Sequence, residues 1–122
     1  MNKIIAVDFD GTLCENAYPD IGTPKSRVID YILQERRNGT KLILWTNRCG
    51  EYLDAAIVWC AERGIVFDGI NENLPEVIQA FGDDPRKIFA NLYLDDRALS
   101  VDTVELYQWA TRNPSDNEDK AS

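Results

Sequence analysis

The run Lys3–Phe9, KIIAVDF, is apolar at consecutive rather than alternating positions and then stops at Asp10 and Gly11. A strand with one wet face alternates apolar and polar residues, so a short unbroken run of branched side chains marks a strand covered on both faces. Lys41–Thr46, KLILWT, repeats the pattern. Between the two runs Val28, Ile29, Ile32 and Leu33 recur at helical spacing, with Thr23 and Pro24 placed as cap and first position and Asn38–Gly39 as the stop. A strand, a helix and a second buried strand in that order pair in parallel through a right-handed crossover.

The same reading continues along the chain. Leu53, Ile57 and Cys60 mark the inner face of a second helix that Gly64 ends, Ile65–Phe67 form a brief third strand, and Pro75–Phe81 form a short helix. A fourth strand lies in the later part of Ile88–Leu94, because Asn91 interrupts the apolar run. Asp102 and Glu105 are spaced as a capping box for a last helix through Val104, Tyr107 and Ala110, and the polar residues from Asn113 onward read as a frayed tail. With 122 residues, 44% of them hydrophobic, there is material for one core and no second one. The expected architecture is α/β, a three-layer Rossmann-like sandwich around a small parallel sheet within residues 1–112, with 113–122 as the tail.

Charge and absences narrow the chemistry. A net charge of −8 repels nucleic acid, and the cationic pair Arg36–Arg37 falls where it complements a helix C-terminus. No apolar stretch approaches the roughly 18 residues of a membrane span, and the first residues lack the sections of a secretory signal. Cys14, Cys49 and Cys60 are an odd set without metal-ligand spacing, which fits thiols in a reducing cytoplasm. No histidine is present, which removes the Ser-His-Asp triad and histidine-ligated zinc. Where a thiol phosphatase would carry its arginine, the positions after the three cysteines hold Asp20, Ala55 and Val66. Carboxylates remain as nucleophile, base and metal ligand.

In open α/β sheets, ligands bind beyond the carboxyl ends of the strands. The unusual polar residues fall there: Asp8, Asp10, Gly11 and Thr12 after the first strand, Thr46, Asn47 and Arg48 after the second, Asp95 and Asp96 after the fourth. Two like charges near 4 Å cost about 4 kcal/mol at an effective dielectric of 20, so carboxylates brought together this way call for a cation. Oxygen ligands without histidine or cysteine favour magnesium.

In that order, DFDGTL at Asp8–Leu13, the strand ending in Thr46, Lys87 and the pair Asp95–Asp96 resemble the four motifs of the haloacid dehalogenase-like phosphatase superfamily. The resemblance implies that Asp8 attacks the phosphoryl group while Asp10 protonates the leaving oxygen and then activates water. It further implies that Thr46 and the Asn47 amide hold phosphoryl oxygens, with Arg48 beside them in the substrate site. Lys87 would offset charge on the transferred group, Arg86, Arg48 and Arg97 being alternative sources of it. Magnesium would be held by Asp8, the Asp10 backbone carbonyl and Asp95, with Asp96 acting through water or a hydrogen bond.

The family's cap domains are inserted after the first motif or after the third strand. Here Gly11–Pro24 and Asp68–Lys87 are too short to fold as one. The chain looks like a capless member, similar to small bacterial and phage-type hydrolases with LWTNR and LDDR strings. Its open site implies a bulky phosphorylated substrate or a neighbouring subunit as lid, hence a homo-oligomer. Two rivals use the same fold. A receiver-like signalling domain also phosphorylates an aspartate, but its acidic pair closes strand one and its phosphoacceptor strand three, whereas strand three here ends at Asp68. A non-catalytic binding protein of the haloacid dehalogenase-like fold would have no need of so many facing carboxylates. Trp45, Trp59 and Trp109 read as core or subunit contacts, and Asn71, Glu72 and Asn73 as a polar loop on the rim.

Overall fold

A computed structural model of the chain describes residues 2–84 and 88–95. Lys87 and Asp96, their neighbours Arg86 and Arg97, the expected helix from Asp102 with Trp109, and the tail lie outside the described residues. The elements run β1 (Ile4–Val7), β2 (Cys14–Ala17), β3 (Asp20–Pro24), α1 (Ser26–Arg37), β4 (Lys41–Leu44), α2 (Gly50–Glu62), β5 (Gly69–Ile70), α3 (Pro75–Phe81) and β6 (Leu92–Leu94). Strands β5-β4-β1-β6 form one parallel sheet in that order, and β2 and β3 pair antiparallel in a separate hairpin.

The unbroken apolar runs are explained by what covers each face. Successive strand residues point to opposite sides. Ile5, Val7, Leu42 and Leu44 face Ile29 and Ile32 of α1 and Ala56 and Cys60 of α2, whereas Ile4, Ala6 and Ile43 face Leu74 and Val77 beside and within α3. Each fully buried aliphatic side chain contributes about 1.5–3 kcal/mol, so both faces of β1 and β4 drive the layering. Helices on both sides of a parallel sheet are the expected three layers.

Several boundaries differ from expectation, each for a local reason. Thr23 and Pro24 end β3 instead of opening α1, whose N-cap is Lys25 without a side-chain hydrogen bond. The third strand is Gly69–Ile70, not Ile65–Phe67. Ile65 packs into the core, and Asp68 supplies the link to β4: its N–H donates to the Leu42 carbonyl at 2.8 Å and its carboxylate accepts the Leu42 N–H at 2.9 Å. Asn91 does precede β6, and it locks the register. Its N–H donates to the Ile4 carbonyl at 2.8 Å and its side-chain oxygen accepts the Ile4 N–H at 2.7 Å.

From β1 the chain continues to β4 on one side, while β6 returns to the other side of β1. The order therefore reverses around β1, and its carboxyl end is a topological switch point. Among the described residues no helix is long and apolar enough to cross a membrane.

Candidate active site

The parallel register sets the first pair of acids. Val7 pairs with Leu94, and the Asp8 N–H donates to the Leu94 carbonyl at 3.0 Å, so Asp8 and Asp95 leave neighbouring strands side by side. Such strands lie about 4.8 Å apart. The Asp8 carboxylate accepts the Phe9 N–H at 2.8 Å, which orients it at the mouth of the turn. Asp95 is exposed and borders the same two clefts as Asp8.

Asp10 has the opposite setting. Arg48 Nε donates to one of its oxygens and Nη2 to the other, both at 2.8 Å. Planar two-point pairing is the strongest form of this contact. The Arg48 side chain is 1% exposed, and its remaining donors reach the carbonyls of Pro19, Asp20 and Tyr52. Its guanidinium also lies 5.0 Å from the ring centres of both Phe9 and Tyr18. Hydrogen bonding to Asp10 raises the Arg48 pKa above its ordinary value, against the opposing effect of burial. Arg48, read from the sequence as a substrate contact, is thus spent on protein partners: it ties Asp10 to the hairpin tip and to α2.

Thr46 and Asn47 follow β4. The Thr46 hydroxyl oxygen accepts the Arg48 N–H at 3.1 Å, which leaves its own proton to donate. The Thr46 N–H donates to the Asn71 side-chain oxygen at 2.8 Å, and Asn71 holds a left-handed φ of 55° after β5. Thr46, Asn47, Asp8 and Asp95 form the shared floor of two clefts. One, of about 450 Å³, is completed by Asp10, Arg48, Asn16 and Tyr18 on the hairpin side. The other, of about 350 Å³, is completed by Trp45 and Asn71.

The hairpin was unread in the sequence, and with it Asn16 and Tyr18. Its signal is the Tyr18-Pro19 turn between two short polar strands, a pattern that carries no apolar alternation to announce it. Gly22 of β3 approaches the Glu15 backbone so closely that any Cβ there would collide with it, which makes the tight crossing depend on glycine. Trp59 packs edge-on against Phe9 at 5.4 Å, as a core residue does, while Trp45 is 43% exposed on the rim.

The buried thiols are chemically quiet. Burial raises the Cys14 pKa and pushes Cys60 to about 12, so neither forms a thiolate near neutrality. Among the described residues no group of three or more His, Cys, Asp and Glu side chains is gathered to hold a metal ion. Arg48 takes both oxygens of Asp10, and the other two carboxylates bordering the same cleft are those of Asp8 and Asp95. Magnesium usually takes one or two carboxylates and completes its shell with water and phosphate oxygens, so this pair fits it.

No protein-family model and no curated protein matches the chain. A solved structure does: a conserved protein of Bacteroides thetaiotaomicron superposes with a TM-score of 0.72 and is 36% identical, over 92% of this chain and 93% of that one. At that identity over nearly the full length of both, this chain belongs to the same family as the conserved Bacteroides protein.

Proposed function

We propose that the protein is a magnesium-dependent phosphomonoester hydrolase of the haloacid dehalogenase-like kind, working through an aspartyl-phosphate on Asp8. The observation that supports it is the floor of the site. A two-strand register sets Asp8 beside Asp95, and the same cleft carries Asp10, Thr46 and Asn47.

An Asp8 carboxylate oxygen attacks phosphorus, the bond from phosphorus to the leaving oxygen breaks, and that oxygen takes a proton from Asp10, which enters this step as the neutral acid turned from Arg48 and leaves it as a carboxylate. Asp10 then removes a proton from water as the water attacks the acyl-phosphate, which frees phosphate and restores the Asp8 carboxylate. The Thr46 hydroxyl donates to a phosphoryl oxygen. Asp8, Asp95 and the Asp10 backbone carbonyl would hold the magnesium, which as a Lewis acid supplies positive charge against the phosphoryl oxygens.

Arg48 positions the acid–base group. Because it grips both Asp10 oxygens, at least one of its bonds is released when Asp10 turns to the leaving oxygen. The decisive experiment is hydrolysis of a panel of phosphomonoesters with magnesium and with chelator, followed by trapping of radiolabelled phosphate on the protein. Turnover that needs magnesium and a label mapped to Asp8 are expected. Turnover unaffected by chelator, or label elsewhere, removes the reading.

A further inference from the structure

The two clefts share a floor and differ in their walls, and that difference bears on where the leaving group lies. Asp10 borders the hairpin cleft and not the cleft of Trp45 and Asn71. A leaving oxygen must sit beside its proton donor, so the group attached to it extends along the hairpin, past Asn16 and Tyr18.

That wall has a defined chemistry. Tyr18 is 55% exposed, and its ring packs against the protein on one side, with the Arg48 guanidinium 5.0 Å and the Tyr52 ring 5.7 Å from its centre. A half-open aromatic ring at the edge of a 450 Å³ cavity offers a face on which a flat group can stack. Beside it, the Asn16 side-chain oxygen accepts the Tyr18 N–H at 3.4 Å, and Asn16 also lines the cleft with an amide NH2 that can donate. The ion pair below is internally neutralised, since Arg48 and Asp10 satisfy each other. Among the described residues of this wall no further cation is present to receive an anionic leaving group.

We propose that the hairpin Cys14–Pro24 is the leaving-group subsite, and that it selects phosphomonoesters carrying an uncharged planar ring with an acceptor on its edge, the chemistry of a nucleoside monophosphate. The ring stacks on Tyr18 and its edge takes the Asn16 donor. As a leaving-group subsite it rests on the phosphatase reading above; the exposed Tyr18 ring and Asn16 at the cleft edge stand independently of that reading as a surface for a flat ring.

The test compares kcat/KM for a nucleoside monophosphate with that for glycerol phosphate in wild type, Tyr18→Phe, Tyr18→Ala, Asn16→Ala and Trp45→Ala. Wild type is expected to prefer the nucleotide. Tyr18→Ala is expected to lower the preference ratio about tenfold or more, the range of a lost base–aromatic stack, chiefly through KM. Tyr18→Phe keeps most of it, and Asn16→Ala lowers it by a smaller factor. Using the ratio cancels any loosening of Arg48, which affects both substrates. An unchanged ratio in Tyr18→Ala overturns the proposal, as does a ratio that collapses only in Trp45→Ala, which would assign the leaving group to the other cleft. If wild type hydrolyses no phosphomonoester, the phosphatase reading falls separately. The subsite is then judged by equilibrium binding of the nucleoside monophosphate, where equal affinity of wild type and Tyr18→Ala overturns it.

Discussion

Asp8 and Asp10 are two residues apart in one turn and live in opposite surroundings. Asp8 leaves β1 beside Asp95 at the end of β6, whereas both oxygens of Asp10 are held by a buried guanidinium. The first arrangement brings two carboxylates to one cleft, a placement suited to a cation and a phosphoryl group. The second is complete within the protein and fixes a side chain and a hairpin together. One turn thus holds a carboxylate at the floor of the cleft and another locked into the scaffold beside it.

Substitution of Asp8 puts the greatest strain on this comparison. Asp8→Asn is expected to lower kcat at least about a thousandfold, the scale of a lost nucleophile, while its Tm equals or exceeds that of wild type because the repulsion with Asp95 is relieved. Steady-state kinetics and a melting scan on the same preparation check both halves. A variant that melts lower would mean that Asp8 is a stabilising group, and the contrast with Asp10 would disappear.

Arg48 should behave in the reverse way. Removing one member of a buried pair leaves the other uncompensated, and Arg48→Met is expected to destabilise the protein by about 3 kcal/mol in urea unfolding, at the low end for such losses because Asp10 remains 19% exposed. Activity falls as well, by about a hundredfold, since misplacing a reacting group by an ångström has that effect. Arg48→Lys keeps the charge and loses the two-point geometry, so it recovers stability more than activity. Equal recovery of both would reduce Arg48 to a structural role.

Much of the scaffold was legible because apolar runs report coverage directly. KIIAV and KLIL became the central strands, and the spacing in 26–37, 50–62 and 75–81 became helices. The rim followed from the strand ends, and Asp8, Asp10, Thr46, Asn47, Arg48 and Asp95 do line one cleft. What stayed hidden depends on contacts remote in sequence. Arg48 reads as a free cation beside a phosphate-binding threonine, and only the folded chain brings Asp10, 38 residues earlier, onto it. The hairpin is polar and short, and Asp68 replaces a strand residue with its side chain, so neither produces a periodic signal.

Metal addition sharpens the Asp8 side of the contrast. Magnesium at about a hundred times its Kd stabilises a protein that binds it only when folded by about 2.7 kcal/mol. Wild type should show this as a rise in Tm that chelator reverses, and Asp95→Asn should show little of it. A rise of equal size in Asp95→Asn would place the cation away from the β1–β6 pair.

The smallest expected effect concerns the core beneath both acids. Burial raises the Cys60 pKa from its ordinary 9.0 to about 12, so between these values the unfolded chain releases a proton that the folded chain retains. The folded pKa is the higher one; the contribution is therefore fully present below about pH 9 and is lost as pH rises toward 12. In that window each pH unit removes up to about 1.4 kcal/mol of stability through this one group. Lysines and tyrosines titrate over the same range, so the measurement is the difference between wild type and Cys60→Ala in urea unfolding from pH 8 to 10. Cys60→Ala starts less stable, because it leaves a small cavity at a fully buried position, but its stability should decline less steeply. Parallel declines would mean that Cys60 ionises as readily in the folded protein as in the unfolded one, and that the layer under the site is wetter than its closed packing implies.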